Sequence, residues 1–500
     1  MAATARSLAG VGLGWRRELA APLLTSPHAV GFVEVIAESC LNPGPLRREV
    51  LGLAEIWPVL PHGIKLSLGS ADGIDEHHAR RLGELARVLR APLISEHVAF
   101  TRGRDRDIGH LTQLPLHRSA VAVVARNLAK ARRLLPDIPF LLENPAWTLR
   151  WPEDEMDEGS FFHEIVHATG CELLLDIANL YANAQNSGCD PLSLLRSYPL
   201  NRVAMVHIAG GAWREGFYVD THCHPTPSPV FDLLRELVRI RGPLPVVLER
   251  DGRYPPFAEL ATELAQAQSI LEGAPDRRAA DESRQAHRTH LPAPIDPRPE
   301  TATAAERRIS TADLATQQVR LAHLLTQAAR PAAPCGRDEA ASAPPSSQHE
   351  PQAWDPRDLD RSRSVLLHKR ADEAIDLLRR SRSVAETQHI DLYALALERL
   401  GSLPPARQLP TVVDALYLVR SLKTQRALAT AAELDQLTLQ ARFVEHSEGA
   451  SARFWPYLAK AQQAHGETTW VWKPLGPRSA LRFFSRPAQG LFGGSPSRTS

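Results

Sequence analysis

The chain has 500 residues, with 58 Lys and Arg against 57 Asp and Glu for a formal charge of +1, so no electrostatic excess draws it as a whole to nucleic acid or an anionic membrane. No apolar run approaches the roughly 20 residues that span a bilayer and the N-terminal MAATARSLAG lacks an apolar signal core, which predicts a soluble, cytoplasmic protein with no membrane partner. Five cysteines, odd in number and without a C-x-x-C pair, argue against a disulfide framework or a cysteine zinc knuckle.

Over residues 1–273, short β-branched apolar runs alternate with helix-period stretches, the pattern of βαβ units. Eight strands are expected: Val11–Trp15, Phe32–Ile36, Ile64–Gly69, Leu93–Ala99, Phe140–Glu143, Glu172–Ile177, Val203–Ile208 and Val246–Glu249. Eight strands in this length fit a closed TIM (β/α)8 barrel better than an open sheet, because closure leaves no edge. Between them, Asp75–Arg90 carries Leu82, Leu85, Ala86 and Leu89 on one face, and Arg118–Leu135 leads into the fifth strand.

Residues 274–354 turn to Pro, Ala, Ser and charged residues, which is linker chemistry. One helical segment interrupts it at 303–329, where Leu314, Val319, Leu321, Leu324 and Leu325 suit docking on a neighbour. A smaller all-α region is expected over 355–466, in helices Leu359–Arg380, His389–Leu400, Thr411–Leu422 and Leu428–Val444. Residues 467–500 are basic, with Trp470, Trp472, Phe483 and Phe484 among Gly and Pro, and read as a flexible tail.

A barrel of this kind places its active site at the C-terminal strand ends, and nearly every expected strand ends in a polar residue. Glu34 and Glu38 close the second strand, His62 precedes the third, and Glu96-His97 close the fourth. Glu143-Asn144 follow for the fifth, Asp176 and Asn179 for the sixth, and His207 for the seventh. Asp220, His222 and His224 come next in DTHCHP, and Glu249-Arg250-Asp251 close the eighth.

One such residue alone is as often a satisfied buried side chain as a ligand. Together they are different, because converging carboxylates repel and lose solvation unless a cation lies between them. The ligand count implies two or three ions, since one ion rarely takes more than about six protein groups. Imidazole with carboxylate and no converging thiolate suits iron, manganese or zinc.

Asp220-x-His222-x-His224 puts alternate residues on one side of an extended segment. Glu143 and Glu249 each follow a buried run and favour a ligand role over an ion pair. Glu38 and Asp251 stand between ligand and hydrogen-bond acceptor, and Asn144 and Asn179 between ligand and organiser. Only one of Glu96 and His97 faces the site, and His97 is the choice; Cys223 points away by the same alternation. Arg250 holds either an anionic substrate group or an ordinary ion pair.

The segments GVGLGWR, FVEVIAES, HGIKLSLGS, SEHVAF, WPEDEMDE, LLLDIANLYANA, VHIAGG, DTHCHP and VLERDG, in this order, resemble the multinuclear non-heme iron-dependent oxidases (domain of unknown function 692, UPF0276) over residues 8–272. The resemblance implies a TIM barrel holding two or three irons, mixed Fe(II)/Fe(III), with O2 as co-substrate. It implies as iron ligands His62, His97, Glu143, Asp176, Asn179, His207, Asp220, His222 and Glu249. Glu38, Asn144, His224, Arg250 and Asp251 remain candidates to orient a ligand or touch substrate. The family usually has Asn where this chain has Ser39.

The resemblance further implies the oxidation of cysteine residues in a ribosomally made precursor peptide. A peptide thiolate binds one iron, dioxygen is reduced at another, and the cysteine β-carbon loses hydrogen. Family members often work with a peptide-presenting helical partner. The helices after residue 303, especially RSVLLHKRADEA, resemble the extension found on some members, so this fused region is expected to replace or recruit that partner.

Two other readings remain open. One is a zinc or manganese barrel hydrolase or isomerase of the endonuclease IV and sugar isomerase kind, whose DNA version the neutral charge weakens. The other is a non-catalytic protein that binds metal or a partner.

Overall fold

The computed structural model describes residues 8–104, 106–273, 310–326, 354–402, 410–443, 457–462, 468–473 and 482–486. They fall into two compact units: the first runs to Leu324 and takes back the described stretch from Trp354 to Arg361, and the second holds Leu325, Thr326 and the described residues from Ser362 onward. No described helix is long and apolar enough to cross a membrane.

In the first unit eight parallel strands close into a barrel: β1 Val11–Gly14, β2 Phe32–Ile36, β3 Val59–Gly63, β4 Ile94–His97, β5 Phe140–Glu143, β6 Glu172–Asp176, β7 Val203–Ile208 and β8 Val246–Leu248. Each pairs with its sequence neighbours and β8 closes on β1 through Val11↔Val246. The expected barrel is therefore present, with one strand displaced. Ile64–Ser70 alternates like a strand but is a loop, with Ser67 at φ 59°. The strand lies just before it, disguised by Pro61, which cannot donate to a ladder. His62 is thus inside β3, paired with Ile36 and Ser95, not ahead of it.

The pleat explains how charge enters the barrel. Phe32, Leu60, Leu93, Leu141, Leu174, Met205 and Val247 form one buried apolar cluster. Two residues further along stand Glu34, His62, Ser95, Glu143, Asp176, His207 and Glu249. Residues two apart share a strand face, so the geometry that turns each apolar side chain inward turns the next polar one inward too, nearer the C-terminal end. His97 takes one more such step from Ser95. On β1 no side chain competes for this space, since a Cβ on Gly12 would lie 2.5 Å from the Phe32 ring.

Outer helices begin and end on local signals. Glu76–Leu89 is capped by Asp75, which accepts from the amides of His77 and His78, and stops at Arg90 in the left-handed region, φ 52°. Antiparallel hairpins follow β4 (Ala99–Gly103 with Arg106–Gln113) and β7 (Gly210–Arg214 with Phe217–His224).

The segment expected as an island in a linker is part of the barrel unit. Helix Thr311–Leu325 buries Leu314 and Leu321. Its buried Gln318 accepts from Ala71 N at 2.8 Å and donates to Gly69 O at 2.7 Å. The approach is close enough that a Cβ on Gly103 would lie 2.9 Å from Val319 Cα. The rest of the expected linker, 274–309 and 327–353, lies outside the described residues. At 354 the chain is back on the barrel unit: Trp354 meets the Trp151 ring edge-on at 5.4 Å, and Asp358 accepts from Arg150 N at 3.2 Å.

The second unit is helical as expected, with helix Pro356–Leu377 running into it and Leu392–Leu400, Pro410–Leu422 and Ala429–Phe443 following. A separate helix, Arg379–Thr387, appears where a single helix to Arg380 and a polar turn were expected. Leu378, at φ −98° and ψ 56°, breaks the chain between them. Leu378, Leu392, Leu400, Leu418 and Leu422 share one core. Beyond the helices, Tyr457–Gln462, Thr468–Lys473 and Arg482–Arg486 form an antiparallel three-stranded sheet. This corrects the expectation of helix to 466 and an unstructured tail: β-branched and aromatic residues in TTWVWK and RFFSR carry strand preference despite the Gly and Pro around them. Residues 487–500 lie outside the described residues.

Candidate metal centre

β3, β4 and β5 bring His62, His97 and Glu143 together. Glu143 Oε2 lies 3.4 Å from His62 Nε2 and 3.5 Å from His97 Nε2. The far nitrogens are engaged: His62 Nδ1 is 2.9 Å from Ser95 Oγ, and His97 Nδ1 is 3.3 Å from the Gly63 carbonyl oxygen. A carbonyl only accepts, so His97 Nδ1 carries a proton and Nε2 is the atom available to a cation. Glu96 turns to the amides of Leu66 and His97 instead, so of this pair only His97 enters the site.

His207 on β7 occupies the middle. Its Nε2 is 3.0 Å from Glu34 Oε1, and its Nδ1 is 3.4 Å from both Glu143 Oε1 and Glu249 Oε2 and 4.0 Å from Asp176 Oδ2. None of these approaches has hydrogen-bond geometry, and both ring nitrogens are buried without a partner.

His222 supplies the outer edge. Its Nε2 is 2.8 Å from Asp220 Oδ2 and 3.9 Å from Asp176 Oδ2, while Nδ1 is 3.0 Å from Glu249 Oε2. Simple alternation along DTHCH does not produce this. The hairpin register jumps from Ala212↔Val219 to Gly210↔His224, so Asp220–Cys223 bulge out. His222 sits in that bulge at φ 51°, a strained conformation for a residue with a Cβ. Asp220 and His222 therefore converge while His224 turns to Thr221 Oγ1, 2.9 Å away.

Asp176 divides its carboxylate. Oδ1 accepts from Asn179 N at 2.7 Å and caps helix Ile177–Ser187, while Oδ2 is buried without a partner. Asn144 is spent on holding this residue: its amide donates to Asp176 O at 2.9 Å and accepts from Asp176 N at 2.8 Å. Asn179 donates to Asn144 O at 3.0 Å and leaves Oδ1 buried and unpartnered.

Four groups of three residues place donor atoms within 4.8 Å of one another: His62, His97 and Glu143; Glu34, His207 and Glu249; Glu143, Asp176 and His207; Asp176, His222 and Glu249. They share members, so they form one connected centre with room for more than one ion. The unpartnered atoms test the fit. Glu34 Oε2, Glu143 Oε2, Asp176 Oδ2 and Asp220 Oδ1 are buried with no hydrogen bond, an expensive arrangement unless a cation satisfies them.

The titration of the metal-free centre points the same way. Burial lowers the basicity of His97, yet Glu143 and Glu96 raise its pKa to about 9. Burial likewise opposes a charged Glu143, but His97, His207 and His62 hold its pKa at about 2. For Asp176, burial and then the repulsion of Asp220 and Glu143 prevail over His222 and His207, and its carboxyl is pushed far up. Without metal the centre stores protons that a divalent cation would displace.

The remaining candidates do other work. Glu38 accepts from the amides of Ile64 (3.1 Å) and Lys65 (2.9 Å) and lies 3.0 Å from His78 Nε2, bracing the loop after β3. Arg250 is fully buried, pairs through Nη2 with Glu263 at 2.8 Å and keeps Nε buried without a hydrogen bond. Asp251 pairs with Arg16 and stands 3.5 Å from His222 Nδ1. Glu34 is the addition: the sequence marks it only as a polar strand residue, although its phase with Phe32 makes it inward-facing.

Fold and site together define a TIM-barrel protein with a candidate multinuclear metal centre at its strand ends. The family model for RiPP precursor modification enzyme MbnB/TglH/ChrH matches residues 10–272, more than half the chain, and the chain belongs to that family. Similar curated proteins are named only UPF0276 protein. One from Streptomyces avermitilis is 40% identical over 276 residues, 54% of this chain and 56% of that protein. Another from Chromobacterium violaceum is 36% identical over 272 residues, 54% of this chain and 98% of that protein. Among solved structures, endonuclease IV from Thermus thermophilus aligns at 19% identity and a TM-score of 0.36, over 54% of this chain and 100% of that one. An L-ribulose 3-epimerase aligns at 13% and 0.34, over 59% of this chain and 100% of that one.

Proposed function

We propose that this chain is a multinuclear iron-dependent oxidase that uses dioxygen to modify cysteine residues of a ribosomally made precursor peptide. The coarser part, an enzyme family of precursor-peptide modification, comes with family membership. The observation that carries the finer part is the set of orphaned, inward-facing oxygens and nitrogens shared among four overlapping ligand groups. Such a donor set, imidazole and carboxylate without thiolate, suits iron as it suits manganese or zinc, and it leaves a thiolate to arrive with the substrate; the choice of iron rests on the family resemblance.

The proposed ligands are His62, His97, Glu143, Asp176, Asn179, His207, Asp220, His222 and Glu249, with Glu34 added. Bound iron would supply the electron-transfer capacity that couples cysteine oxidation to dioxygen reduction. The chain's own residues set the geometry. Ser95 and the Gly63 carbonyl orient two imidazoles, Asn144 fixes Asp176 through its backbone, and the Arg16–Asp251 pair braces His222 from outside.

The test is to purify the full chain without oxygen, load it with Fe(II), count metal per chain, and follow oxygen uptake with cysteine-containing peptides encoded beside its gene. Iron retention with peptide-dependent oxygen uptake is expected. Selective retention of zinc or manganese, with activity on a sugar or on DNA, would replace this reading by the hydrolase or isomerase one. The second unit is proposed to replace or recruit a peptide-presenting partner; deleting 362–500 should weaken peptide binding while leaving iron content intact.

A further inference from the structure

The metal centre approaches solvent on one side, where side-chain exposure rises from 0% at His207 to 12% at His222 and 39% at Asp251. Two segments run outward together there, the end of the hairpin after β7 and the turn after β8. Glu249 Oε2 lies 3.0 Å from His222 Nδ1, and the Asp251 amide donates to the His222 carbonyl at 2.8 Å. One residue further a Cβ on Gly252 would lie 3.0 Å from Cys223 Sγ. The next step brings Arg253 Nη1 to 3.4 Å from His224 Nε2. Glu249 and Asp251 meet an imidazole with a group of opposite sign; Arg253 and His224 do not.

This outermost pair is basic on both sides. His224 Nδ1 is engaged with Thr221 Oγ1 at 2.9 Å, which leaves Nε2 to face the guanidinium. Arg253 is exposed and sits at φ 47°, a strained conformation for a residue with a Cβ. Two more cations act on the same imidazole: after burial, the guanidiniums of Arg253, Arg214 and Arg250 lower its basicity. Arg250 is balanced by Glu263, whose second oxygen accepts from Thr226 N at 2.8 Å, and Asp251 is taken by Arg16. Among the described residues no carboxylate pairs with Arg214 or Arg253. Cations gathered at an open site without a counter-charge favour an anion between them.

We propose that Arg253 and His224, within the field of Arg214 and Arg250, bind a carboxylate of the substrate peptide, from an acidic side chain or the C-terminus, beside the residue held at the metal centre. The proposal rests on the peptide-modification reading above. A guanidinium presents a planar fork of donors that matches a carboxylate, and Arg253 spends only Nη1 on His224. His224 stands two residues from His222, and two residues of extended chain span about 7 Å. The carboxylate therefore belongs one or two positions from the reacting residue.

The test uses the anaerobic, Fe(II)-loaded full chain and a panel of N-acetylated, C-amidated pentapeptides. Each has one central cysteine among alanines, with Asp or Asn placed at each flanking position in turn; the all-alanine parent is also made as the free acid. Dissociation constants are read by calorimetry. At one flanking position Asp should bind at least about tenfold tighter than Asn, the order expected of a charge-assisted hydrogen bond. A gain confined to the free acid assigns the site to a C-terminal carboxylate instead. Arg253→Gln should reduce the ratio below about threefold, with iron per chain and the affinity of the amidated parent unchanged. Arg253→Lys, which keeps the charge and loses the fork, should give an intermediate ratio. No preference in any arm, peptides that do not bind included, or a preference that survives Arg253→Gln, overturns the proposal. Serine in place of cysteine separates it from the reading beneath it. An Asp preference with affinity indifferent to cysteine upholds the carboxylate site and removes cysteine from the proposed function, whereas cysteine-dependent binding with no carboxylate preference overturns the site alone.

Discussion

The two units bury carboxylates in opposite ways. In the helical unit Asp414 receives the Arg370 guanidinium on both oxygens, each at 2.8 Å, and Asp435 accepts from Ser381 N at 2.7 Å and from Arg380 N at 3.3 Å. Every oxygen there has a protein donor. In the barrel Glu34, Glu143, Asp176 and Asp220 each keep an oxygen buried and unpartnered. Burial itself is similar in the two places; completion of the hydrogen bonding is not. A satisfied buried charge serves the fold, whereas an orphaned one reports a group that the chain expects from outside.

This contrast breaks first at Arg370. Arg370→Leu leaves Asp414 buried without its counter-charge, so the helical unit should lose about 3–5 kcal/mol, read by chemical denaturation, with metal content unaffected. A loss below about 1 kcal/mol would mean that water already satisfies Asp414. The barrel should respond in reverse to Glu143→Gln. Metal affinity should fall at least about a hundredfold, which is about 2.7 kcal/mol, while the metal-free barrel stays folded with a smaller loss of stability, because the histidines that hold Glu143 ionised lose a counter-charge. If the metal-free barrel instead unfolds, Glu143 is a structural ion-pair partner of the histidines and the contrast is lost.

Much of this is legible in the sequence because barrel interiors obey a two-residue step. His62, His97, Glu143, Asp176, His207 and Glu249 stand in phase with apolar residues, and that phase survives even where a strand boundary is misplaced, as at β3. Glu34 is seen with Glu38 at the end of the second strand, but only Glu38 is carried forward as a candidate, although it lies in the short helix Ala37–Cys40 and braces a loop. Matching Glu34 to Phe32, as His62 matches Leu60, recovers it. The convergence of Asp220 and His222 is expected from the sequence, but its cause is not: a bulge and one left-handed residue leave no periodic trace. The docking of Thr311–Leu325 is hinted at by its leucines, yet the bond pair of Gln318 to Gly69 and Ala71 joins residues nearly 250 positions apart, beyond any local pattern.

The contrast has a third limit, a carboxylate that is fully paired and only half-buried. Glu236, on the outer helix Ser228–Arg241, lies 2.8 Å from Arg239 Nε and 2.7 Å from Arg196 Nη2. The hydrogen bonds from Arg239 and then Arg196 overcome modest desolvation and hold its pKa at about 2, against an ordinary 4.5. A folded-state pKa below the unfolded one adds stability that is fully present above about pH 4.5 and is lost as pH falls toward about 2. Solvent screening keeps the gain under about 1 kcal/mol. The difference in unfolding free energy between the native chain and Glu236→Gln should therefore be small at pH 7 and shrink steadily below pH 4.5. A difference that persists at the acid end would assign the effect to packing of the side chain, and would show that pairing without full burial stabilises little in this barrel.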